Sequence, residues 1–186
     1  MIRTLAIASM LLVLPIGAAS AQHVQPYAGM QTRAVKALSD EQIADLKAGR
    51  GMGLALAAEL NGYPGPSHVL ELQQELALTD AQRARVQSLF AAMKAETVPL
   101  GERLIAAEGD LNRQFATHKI TPASLSSATA AIGAVQAKLR AAHLKYHLTM
   151  MGVLSPGQLK HYNELRGYAG GSPPAGHTPG MHQHGN

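Results

Sequence analysis

Leu78-Thr79-Asp80-Ala81-Gln82 decides the fold of this chain, because the phrase recurs on either side of a long helical tract. Its echoes are Leu38-Ser39-Asp40-Glu41-Gln42 and Leu154-Ser155-Pro156-Gly157-Gln158. Each copy places Ser or Thr three residues before Gln, which is the spacing of a capping box. The hydroxyl accepts from an orphan backbone N–H of the new helix, and the Gln side chain reaches back to the cap residue's own N–H. The Leu before each cap stands where a hydrophobic staple would pin the entering chain. The plain reading is that a helix starts at each copy.

Between the second and third copies the pattern predicts two long helices. Val86, Leu89, Phe90 and Met93 fall at i, i+3, i+4 and i+7, and Leu100, Leu104, Leu111 and Phe115 continue that stripe. The first helix should run from Asp80 to Thr117, about 57 Å at 1.5 Å per residue, with a kink near Thr97 caused by Pro99. Thr121 and Pro122 supply an N-cap and a first-turn proline for the second. Leu125, Ile132, Val135, Leu139, Tyr146 and Val153 then follow a near-heptad spacing, with Ala128 and Ala142 in the small positions. The link His118–Ile120 is short, so the helices should pack antiparallel. Leu144 and Leu148 lie off the main stripe, giving a second apolar face that a homodimer contact would cover.

The flanks are less regular. The first phrase opens a helix expected from about Asp40 to Leu60, weakened by Gly49, Gly51 and Gly53 and ended by Asn61-Gly62-Tyr63-Pro64-Gly65-Pro66. Ser67 is expected to cap a short helix through Glu75. Ser155 should start a last helix ending near Arg166, with Gly167 closing it. Residues 169–186 are rich in Gly, Pro, Ser and His and are expected to be disordered.

The start of the chain reads as an export signal. Arg3 precedes an apolar run from Leu5 to Ile16, and Ala19-Ser20-Ala21 is a small-x-small cleavage pattern. Cleavage is expected after Ala21, and a periplasmic product follows. The expected division is 1–21 signal peptide, 22–66 N-terminal extension with a short helix and Gly/Pro loop, 67–168 helical-hairpin domain, and 169–186 tail. No cysteine is present, so any metal must be held by His, Met, carboxylate or backbone. The formal charge of +4 becomes +3 once Arg3 is removed, too small to argue for nucleic acid. With no Trp and two Phe the chain cannot build a thick core. A thin, elongated all-α dimer fits: a long antiparallel helical hairpin with short flanking helices.

The phrase at Leu78, Thr79 and Gln82, its partner at Leu154, Ser155 and Gln158, the export signal and the hairpin together resemble the LTxxQ proteins of the periplasmic Spy/CpxP family, which includes heavy-metal-sensing and resistance relatives. Ser155 and Gly157 depart from the usual motif. The resemblance covers about 67–167. It implies an ATP-independent chaperone or envelope-stress adaptor that takes unfolded or partly folded envelope proteins and signals to a membrane sensor. Its other branch implies a heavy-metal resistance or sensor protein. That branch carries a His/Met pair on its last long helix, with His and acidic ligands from the helix before LTxxQ; here His68 and Glu71 sit on that earlier helix.

The residues themselves offer two metal candidates, with Cu, Zn or Ni as the ion by ligand type. His143, His147 and Met151 recur every four residues and share one helix face. Packing on an apolar helix would equally account for them. His177, Met181, His182 and His184 form a denser cluster in the tail, where any metal binding is expected to reside first. No catalytic constellation appears, so no enzyme is expected. Gly49-Arg50-Gly51-Met52-Gly53 follows no strand and is no dinucleotide fingerprint. Two packed helices are also expected to offer no deep pocket.

Overall fold

A computed structural model describes residues 25–168. The expected signal peptide and cleavage site after Ala21, and His177, Met181, His182 and His184 of the expected tail, lie outside the described residues. Residues 25–31 belong to one unit, and residues 32–168 belong to a second. It contains α1 (Asp40–Ala48), α2 (Leu56–Glu59), α3 (Pro66–Glu71), α4 (Asp80–Ala116), α5 (Pro122–Met150) and α6 (Pro156–Leu165), with no strand among the described residues.

All three phrases start helices. Ser39, Thr79 and Ser155 are extended N-caps whose hydroxyls accept from the N–H of Gln42, Gln82 and Gln158, and each Gln side chain accepts from its cap's N–H. Thr121 caps α5 in the same way, with Ser124 as its reciprocal partner.

The two long helices α4 and α5 pack together as a hairpin. Helix α4 runs from Asp80 to Ala116 through Pro99 without a break. Pro99 can neither donate to the Ala95 carbonyl nor tolerate it close. Both residues are exposed, so water can take that carbonyl. Two apolar clusters hold the hairpin. One, at the motif end, gathers Val69, Val86, Leu89, Tyr146, Met150 and Tyr162. The other lies along its length and joins Leu46 of α1 to Leu104, Ile132 and Leu139. The stripes fade at the tip, where Phe115 is 52% exposed and Leu125 is 39% exposed. Only two helices meet there, and neither residue has a third element to pack on.

The expected Asp40–Leu60 helix is corrected. It ends at Ala48, because Gly49 adopts a left-handed C-cap conformation at φ 66°. A turn-rich stretch then leads to the one-turn α2. The expected helix capped by Ser67 and running through Glu75 is also shorter, and its cap lies two residues earlier. Gly65 is the cap, Pro66 is the first helical residue, and Ser67 bonds Glu71 instead, at 3.2 Å. Helix α1 packs on α4 within the same unit. Backbone meets backbone there. A Cβ on Gly101 would lie 2.5 Å from the Leu46 carbonyl oxygen, so only glycine admits α1 at this depth.

A candidate metal centre beside the paired motifs

At the base of the hairpin the second and third motif copies lock together. Gln82 Nε2 donates to Gln158 Oε1 at 2.8 Å, and Gln158 Nε2 donates to Gln82 Oε1 at 3.1 Å. The second amide hydrogens reach the carbonyls of Val153 and Leu76, at 2.9 and 3.1 Å. Because each Oε1 also closes its own capping box, both amides are oriented by their partners. Leu78 and Leu154 are buried beneath the caps, as staples should be.

Residues 48–71 fold over the long helices and, with them, line a half-open cavity of about 510 Å³. This corrects the expectation of no deep pocket, which considered the hairpin alone. Its polar lining includes Glu59, His68, Glu71, His143 and His147, and α4 adds Phe90 and Met93. His147 is fixed by a hydrogen bond from Nδ1 to the Tyr63 carbonyl at 2.7 Å. A carbonyl only accepts, so the proton is on Nδ1 and Nε2 keeps its lone pair. Gly65 makes room for the ring: a Cβ there would stand 2.8 Å from His147 Cε1. His68 donates from Nδ1 to Glu59 at 3.0 Å, which likewise leaves its Nε2 lone pair free. His143 is 2% exposed, and its buried Nε2 has no hydrogen-bond partner.

Glu59 is the electrostatic centre of this region. It is 5% exposed, yet it is surrounded by donors. His68, Tyr162 and Tyr168 bond one carboxylate oxygen, and the Gly65 N–H bonds the other at 3.2 Å. Arg166 Nε and His147 Nδ1 each approach to 3.6 Å. Burial pushes the Glu59 carboxyl up, but the hydrogen bonds from His68 and Tyr162 and the nearness of His68 and His147 outweigh it and hold the group below the ordinary value. Burial, and then the neighbouring His147, push His143 down. Tyr162 is pushed upward by burial and by Glu59.

Of the residues singled out from sequence, His143, His147, His68 and Glu71 come together in one cavity. Met151 does not line it and is 36% exposed, while the buried Met93 of α4 does. Leu144 is half-buried and Leu148 is 63% exposed. Sequence reasoning did not single out Glu59. Its signal was a lone acidic residue in an otherwise apolar turn, ahead of a Gly/Pro segment. The donors suit a cation of borderline hardness: neutral imidazoles, a carboxylate, and one buried ring nitrogen with nothing to bond. They do not form a closed shell, since among the described residues no three His, Cys, Asp or Glu side chains stand close enough to hold an ion together.

The paired motifs, the hairpin and the imidazole-lined cavity define a helical LTxxQ-type protein. The family of heavy-metal resistance proteins matches residues 51–160, more than half of the chain, and the chain belongs to that family. The match spans the cavity, both long helices and both of the later motif copies. No curated protein and no solved structure matches.

Proposed function

We propose that the protein is exported to the periplasm and there binds a borderline divalent cation, Zn, Ni or Cu(II), in the cavity beneath residues 48–71, with no chemistry of its own. The observation that carries this reading is the gathering of three imidazoles, His68, His143 and His147, in one cavity lining, two of them with Nδ1 already bonded. His143 and His147 would hold the ion first, and His68 would complete the set by leaving Glu59 and turning inward. His68 sits on a single short helix and is partly exposed, so it is the ligand free to swing inward.

Calorimetry with Zn²⁺, Ni²⁺ and Cu²⁺ on the mature chain tests this. A chain carrying His177, His182 and His184 changed to Ala should still bind, and the pair His143→Ala and His147→Ala should abolish that binding. Binding that disappears with the tail histidines alone would move the site to the tail and end the cavity reading.

Chaperone action on unfolded envelope proteins, the other function the motifs imply, has thinner support. Phe115 and Leu125 are exposed together at the hairpin tip, while Leu148 stands near the other end of α5.

A further inference from the structure

The first motif copy is the one the hairpin leaves unpaired. Its cap has the same extended backbone as the other two, with ψ of 162° at Ser39 and 160° at both Thr79 and Ser155. Gln42 closes its capping box through the amide oxygen, as Gln82 and Gln158 do. The difference lies in the amide hydrogens. Those of Gln82 and Gln158 reach the partner glutamine and a carbonyl just ahead of the partner's Leu. Those of Gln42 have no protein acceptor among the described residues, and the side chain is exposed. The leucines differ too. Leu78 and Leu154 share one apolar cluster. Leu38 is the only motif leucine on the other cluster, and a half-open groove of about 560 Å³ lies beside it. Leu46, Leu54, Leu104 and Leu139 give the groove an apolar lining, to which Gln42 and Arg140 add polar groups. None of these residues lines the histidine cavity.

We propose that the first copy and this groove together dock a helix start of the same phrase, Leu-Ser/Thr-Asp-x-Gln, carried by another protein. The locked pair at the base of the hairpin shows what such a phrase binds, which is another of its kind. The incoming Gln exchanges amide bonds with Gln42 and reaches the backbone of Lys36 or Ala37, both exposed just ahead of Leu38. The carbonyl ahead of the incoming Leu takes the second hydrogen of Gln42. The incoming Leu enters the groove and joins the cluster of Leu38, as Leu78 and Leu154 share theirs. Charge fits as well. The third residue of the phrase is an exposed Asp in two of the three copies here. Arg140 is the only charged side chain in the groove lining and meets no carboxylate there. The chain's own second and third copies are engaged with each other, so neither is free to fill the groove.

The probe is a synthetic peptide of residues 74–92, which carries Leu78-Thr79-Asp80-Ala81-Gln82. It is titrated with the full mature chain and followed by fluorescence anisotropy. One saturable site is expected. Gln42→Glu keeps an oxygen to close the cap and loses the amide hydrogens, so it should weaken the peptide about 10-fold while the thermal midpoint holds. Gln82→Glu in the peptide should weaken binding to the parent by a similar factor. The two changes together should cost less than their product, since they remove shared bonds. Gly133→Leu fills the groove from a position where a Cβ meets nothing within 4 Å, and should abolish binding with the fold intact. Binding that survives both Gln42→Glu and Gly133→Leu would overturn the proposal, as would a parent that takes up no peptide. Self-association of the parent that Gln42→Glu abolishes would also overturn it, by giving the groove to a second copy of this chain.

Discussion

Gln82 and Gln158 donate to one another across the base of the hairpin, and each at the same time closes the cap of its own helix. The recurrence of the LTxxQ phrase is therefore more than two helix starts. The Gln that a capping box requires is also the residue by which the two starts find each other, 76 positions apart in sequence. Thr79 and Ser155 set the helices, and the glutamines set their relative position.

Gln82→Ala and Gln158→Ala should each cost about 1–3 kcal/mol, because each leaves partly buried partners unsatisfied. The double variant should cost clearly less than the sum, since the shared bonds can be lost only once. Urea unfolding of the three variants checks this, and additive costs would show that the two amides do not act as a pair. Thr79→Ala or Ser155→Ala removes only a cap and should cost about 0.5–2 kcal/mol.

Gly101→Ala separates propensity from packing. In an exposed helix interior the change would stabilise by about 1 kcal/mol. Here the new Cβ would meet the Leu46 carbonyl at 2.5 Å, so α1 must lift from α4. A lower thermal midpoint is expected, with more rapid hydrogen exchange in α1. A raised midpoint would mean that α1 shifts at no cost.

The helices were legible in the sequence wherever periodicity and caps agreed. The four capped helices carry Ser or Thr at the cap, and α4 and α5 add long stripes. The segment 49–71 was not legible, for a physical reason. Its course is set by left-handed turns at Gly49, Met52 and Gly53 and by close approaches such as Gly65 against His147, none of which has a period. The cavity exists because that segment folds back, so most of its lining was hidden with it. His143 and His147 showed by their spacing, whereas Glu59 showed only as a single carboxylate among Ala and Leu.

Leu148 is 63% exposed on α5, with the half-buried Leu144 one turn before it. A second copy of the chain covering this face is expected, giving a dimer at micromolar concentration. Leu148→Glu places a charge on that face while touching no core contact, so it should give a monomer by light scattering with the fold intact. A parent chain that is already monomeric at that concentration refutes the dimer.

The cavity also makes the protein acid-sensitive in the absence of metal. His143 titrates below its ordinary value when folded, because it is buried and lies near His147. An unfolded chain carries an ordinary histidine, near 6.5. Below that pH the unfolded chain takes up a proton that the folded chain refuses, so stability falls with acidification until the folded value is passed. The slope reaches at most about 1.4 kcal/mol per pH unit for one proton. Glu59 acts in the same direction in a lower window. Its folded value is also depressed, so its contribution is complete above the ordinary carboxylate range and is lost as the pH drops through that folded value. Urea midpoints measured with chelator from pH 8 down to 5 should hold level at first and then decline below about 6.5. His143→Phe fills the same space without a titrating nitrogen and should flatten that upper decline. Glu59→Gln should leave the upper decline in place. A decline that survives His143→Phe unchanged would assign the acid sensitivity to another group.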